Sequence, residues 1–62
     1  MNIIVNNELS NALRVDIAIG LLLITNDVPY TRHENNKEVV YGISEQDYAN
    51  IRNEVLEVYT YL

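Results

Sequence analysis

At 62 residues and with no cysteine, the chain has room for one domain (residues 1–62) and no linker, and neither disulfides nor a thiolate zinc site can reinforce it. Nine acidic against four basic side chains give a net charge of -5, which repels nucleic-acid backbones and argues against direct nucleic-acid binding. The longest apolar run, residues 17–24, is far shorter than the roughly 20 residues that cross a bilayer, which argues against a membrane span.

The N-terminal stretch Met1-Asn2-Ile3-Ile4-Val5-Asn6-Asn7-Glu8 has no basic region and no signal-peptide pattern. A chain that begins at Met1 and works in the cytoplasm is the expectation. Residues 3–5 either form a short strand or simply pack.

Over residues 7–25, Leu9, Leu13, Ile17, Leu21 and Ile24 match one helical face, while Val15, Ile17, Ile19, Leu21 and Leu23 also alternate as in a strand. Length favours a helix, because strands rarely exceed about ten residues. Asn6-Asn7-Glu8-Leu9-Ser10 offers a polar entrance, and Asn26-Asp27 before Pro29 supplies an exit. A shorter helix followed by a strand over residues 17–25 is the alternative.

Residues 28–32 and 37–43 are rich in valine, tyrosine and threonine, and the polar His33-Glu34-Asn35-Asn36 stretch separates them, which predicts a β-hairpin. Pro29 falls near the start of the first strand, where an edge position tolerates its missing amide.

The clearest local signal is Ser44-Glu45-Gln46-Asp47, close to a capping box, which starts a helix at Glu45 running to residue 62. Tyr48, Ile51, Val55, Val58 and Leu62 recur at spacings of three and four and form an apolar stripe. Asp47, Asn50, Asn53, Glu54 and Glu57 lie mostly on the other side.

As one helix, residues 17–24 are apolar around the whole circumference and need burial on several sides. The energetics agree: apolar burial contributes about 95 kcal/mol while ordering the chain costs about 93 kcal/mol, a near-tie that association with another chain resolves. A homo-oligomer, dimer or higher, is therefore expected, with Ile17, Gly20, Leu21, Leu22, Leu23 and Ile24 at the interface. Gly20 would permit a close helix crossing.

Catalytic chemistry is poorly supported, and no enzyme, cofactor or metal is expected. There is one histidine, and Ser10 and Ser44 both read as helix-start residues, so no nucleophile has a positioned base. His33-Glu34-Asn35-Asn36-Lys37 has lysine where a zinc-protease helix needs its second histidine. Calcium-loop spacing and a glycine-rich phosphate cradle are both missing from the sequence.

The expected fold is α+β: a long apolar helix, a β-hairpin and a C-terminal amphipathic helix, with a short N-terminal strand as an option. The functional expectation is a small acidic oligomeric interaction protein, an inhibitor or adaptor of the kind carried by phages and mobile elements. Asp47, Asn50, Glu54 and Glu57 are its candidate partner face, complementary to a basic protein groove. The alternative is an oligomeric binder of an anionic metabolite or nucleotide, with Arg32 on the phosphate, Tyr30 stacking and His33 donating.

Overall fold

A computed structural model describes residues 1–61; Leu62, placed by spacing at the end of the C-terminal stripe, lies outside them. The chain runs β1 (Asn2–Asn6), α1 (Ala12–Thr25), β2 (Thr31–Glu34), β3 (Glu38–Gly42) and α2 (Glu45–Tyr61). Among the described residues the strands form one antiparallel sheet in the order β1-β3-β2, so the α+β class holds. Alternation along the strands points Ile3, Val5, Val39 and Tyr41 into the core. Ile4, Val40 and His33, aligned across the three strands, occupy the opposite face. Val15, Ile19 and Leu23 of α1 and Ile51 and Val55 of α2 complete the core.

Helix α1 differs from expectation in both length and orientation. It has 14 residues and starts at Ala12 rather than residue 7, because local turns occupy the preceding segment. Asn6 accepts the Glu8 N–H on its side chain (2.9 Å) and the Leu9 N–H on its carbonyl (3.2 Å), and Leu9 then accepts from Ala12 (3.1 Å). The face that the spacing singled out, Leu9, Leu13, Ile17, Leu21 and Ile24, is exposed, and Val15, Ile19 and Leu23 are buried instead. Leu23 is wholly buried within its own chain, which corrects its expected interface role, and Leu22 packs partly against the same core. Gly20 is also used internally. A Cβ there would stand 3.2 Å from the Tyr41 hydroxyl, so the glycine lets the sheet's tyrosine approach the helix.

The exit of α1 is built by short-range bonds. Asp27 adopts the left-handed conformation (φ 55°), its N–H donates to the Ile24 carbonyl (3.1 Å), and the Val28 N–H donates to Leu23 (2.9 Å). These two bonds, with Val28 and Leu23 both buried, make a Schellman ending. Val28 is thereby committed to the helix end, and β2 begins at Thr31 rather than residue 28. Asn35 moves the hairpin turn as well, because its side-chain oxygen accepts the N–H groups of Lys37 (2.8 Å) and Glu38 (3.0 Å). His33 and Glu34, expected in the turn, therefore lie in β2.

Helix α2 follows the predicted pattern over the described residues. The Ser44 hydroxyl oxygen accepts the Asp47 N–H (3.1 Å), Glu45 and Asp47 sit in the first turn, and the stripe from Tyr48 to Val58 faces the core.

Candidate functional site

Three polar side chains tie α1 to the sheet. Arg32 on β2 and Tyr41 on β3 are cross-strand partners, and both reach Asp16 on α1. Arg32 Nη2 donates to one Asp16 carboxylate oxygen at 2.6 Å, the Tyr41 hydroxyl donates to the other at 2.5 Å, and Arg32 Nε donates to the Tyr41 oxygen at 3.1 Å. Arg32 Nη1 also donates to Glu34 at 3.2 Å. Burial works to raise the Asp16 pKa, but the hydrogen bonds from Arg32 and Tyr41 and the Arg32 charge outweigh it and hold the carboxyl below its ordinary value. Tyr41 is pushed up by burial and by donating to Asp16, and Arg32 is raised chiefly by its bond to Asp16.

This network satisfies the cation expected to hold an anion. Tyr30 and Arg32 do come together around Tyr41: the Tyr30 and Tyr41 rings are 5.7 Å apart, and the Arg32 guanidinium carbon is 5.7 Å from the Tyr41 ring centroid. His33 does not join them, because adjacent strand residues take opposite faces and it aligns with Val40 on the outer one. Asp16 and Tyr41 were not singled out from the sequence. The one available signal for Asp16 was a lone acid inside the apolar pattern of residues 15–24.

The larger feature is apolar. Leu13, Ile17, Leu21 and Ile24, at spacings of four, four and three, form a continuous exposed row on α1, with Leu13 72% exposed. Between this row, Tyr30 and Arg32 lies a shallow hollow of about 330 Å³. A second groove of about 490 Å³ runs between α1 and α2, floored by Leu21, Leu22 and Val58 and bordered by Glu54 and Glu57. Of the candidate partner residues, Glu54 and Glu57 thus flank apolar surface. Asn50 accepts a hydrogen bond from Gln46 (3.3 Å), and half-buried Asp47 borders a different hollow near Met1 and Tyr30.

Known families, curated proteins and solved structures yield no match to this chain. The site is therefore read from its own chemistry. Among the described residues no three acidic or histidine side chains cluster to hold a metal ion, and no helix is long and apolar enough to cross a membrane.

Proposed function

We propose that this protein acts by binding: it self-associates through the outer row of α1 and presents the acidic side of α2 to a basic protein partner, as a cytoplasmic inhibitor or adaptor would. The observation that carries the reading is the exposed row Leu13, Ile17, Leu21 and Ile24, on a helix whose opposite face already fills the core. The row presents on the order of 400 Å² of apolar surface, within the range of the largest patch on an ordinary monomer, which is often a functional one. Covering it on two copies contributes roughly 20 kcal/mol gross at about 25 cal/mol per Å². Lost translational and rotational freedom opposes this by about 4–15 kcal/mol, and side-chain ordering and polar desolvation oppose it further, so the buried area motivates association without setting its affinity.

The anion-binding alternative has less support. A phosphate at Arg32 would meet a guanidinium already paired with two carboxylates, Asp16 and Glu34, so the local charge disfavours an added anion.

Sedimentation at micromolar concentration tests the reading. A mass of at least twice 7.2 kDa is expected, and an Ile17→Asp/Leu21→Asp variant should sediment as a monomer with an unchanged circular dichroism spectrum, since both side chains are exposed. A monomeric wild-type protein would sink self-association. For the partner face, reversing Glu54 and Glu57 to lysine should reduce capture of a basic protein domain while leaving the mass unchanged; equal capture would count against it.

A further inference from the structure

We infer that β2 pairs antiparallel with β2 of a second copy, about a two-fold axis through His33, so that two three-stranded sheets join into one of six strands and the α1 rows meet across the same seam. This rests on the self-association reading and supplies its geometry.

The two sheet edges differ. Asn7 N–H donates to Lys37, and Ile43 N–H donates to Met1, so the odd-numbered residues of β1 bond to β3 and Asn2, Ile4 and Asn6 turn their main-chain groups outward. On that edge the Ile4 carbonyl already accepts the Tyr59 hydroxyl at 2.7 Å. On the other edge, the Asn35 N–H donates to Glu38, so Asn35, His33 and Thr31 face β3 while Arg32 and Glu34 direct their N–H and C=O groups outward. All four residues of β2 are exposed. Among the described residues this edge has no strand partner, and although its shortness and charges blunt it against unrelated strands, those same charges can match a second copy of it.

The strand is complementary to itself in one register. Outward-directed residues must meet outward-directed residues, which leaves three antiparallel registers that overlap Arg32 and Glu34. Centring on Arg32 sets arginine against arginine, and centring on Glu34 sets glutamate against glutamate. Centring on His33 sets Arg32 against Glu34 of the second copy, and Glu34 against its Arg32, which makes two opposite-charge cross-strand pairs.

The helices agree with this register. Arg32 lies on the helix-covered face, bound to Asp16, and the hollow beside it is walled by Ile17, Leu21 and Ile24. An axis perpendicular to the sheet keeps both helix layers on one side, so the two rows approach each other over the new strand pair. Strand seam and helix rows together withdraw roughly 1,000 Å², the lower bound for a specific interface.

Amide hydrogen exchange on the wild-type protein tests the pairing, with the Ile17→Asp/Leu21→Asp variant as the monomeric reference. The Arg32 and Glu34 amides should exchange at least about tenfold more slowly in wild type than in the variant. Glu34→Pro removes an outward N–H that β3 does not use, and it should weaken the dimer about tenfold or more relative to Glu34→Ala, which removes only the charge. A wild-type dimer whose Arg32 and Glu34 amides exchange as in the variant would overturn the strand pairing and leave association through α1 standing. Equal dimer affinity for the two Glu34 variants would overturn it too. A wild-type monomer would overturn both readings.

Discussion

Tyr41 joins a strand, a neighbouring strand and a helix through one oxygen atom, and that atom is only 3.2 Å from where a Cβ on Gly20 would stand. Replacing Tyr41 by phenylalanine leaves the Asp16 carboxylate one donor short in a partly buried setting. Destabilisation of about 2 kcal/mol is expected in urea unfolding, the usual cost of a hydrogen bond to a charged group. Asp16 also sets a pH dependence. Its carboxyl is held below the ordinary value of 3.8, so its contribution is fully present above that value and is lost as pH falls through the folded-state value. The stability gap between wild type and Asp16→Asn should stay constant from about pH 5 to 7 and close below about pH 4; a gap unchanged at pH 2 would contradict the assignment. Arg32 was legible in the sequence as a cation beside an aromatic ring. Its nearer counter-ion, Asp16, lies sixteen residues away on another element, where no local pattern marks the pair, whereas its second, Glu34, is two residues along the same strand. His33 was misplaced for a related reason: moving the turn to Asn35 put it in the strand, on the face opposite Arg32.

Among the elements, α1 shows how an apolar helix can mislead. Leu13, Ile17 and Leu21 satisfy helical spacing as well as Val15, Ile19 and Leu23 do, and periodicity alone cannot rank two apolar faces. The sheet ranks them: the face bearing Asp16 and Gly20 accommodates Arg32 and Tyr41, and this turns Leu13 and Ile17 outward. The ends of the helices were easier to read. Asn26-Asp27 marked the exit of α1 and Ser44 the start of α2, because each acts on main-chain groups within a few residues. Asp27 carries a side chain in a left-handed conformation and a negative charge at the unfavourable end of the helix dipole. Asp27→Gly should therefore stabilise the fold by about 1 kcal/mol, read as a higher urea midpoint with unchanged slope; a lower midpoint would show that Asp27 makes a compensating contribution.

For the whole molecule, the near-tie between apolar burial and chain entropy leaves little stability to spare, so the proposed association would add to it. If folding is coupled to self-association, the thermal midpoint should rise with protein concentration in wild type and remain constant in Ile17→Asp/Leu21→Asp. A concentration-independent wild-type midpoint would show that the isolated chain is self-sufficient. By itself the sequence determined the α+β composition, the core stripe of α2 as far as Val58, the exit of α1 at Asn26-Asp27 and the start of α2 at Ser44. All of these follow from local spacing and hydrogen-bonding chemistry. Only the tertiary structure decided which face of α1 enters the core, that Asp16 holds Arg32, and which strands lie at the edges of the sheet. Those choices depend on strands and helices meeting across long stretches of chain, where apolar residues on both sides of α1 are energetically interchangeable until the sheet is in place.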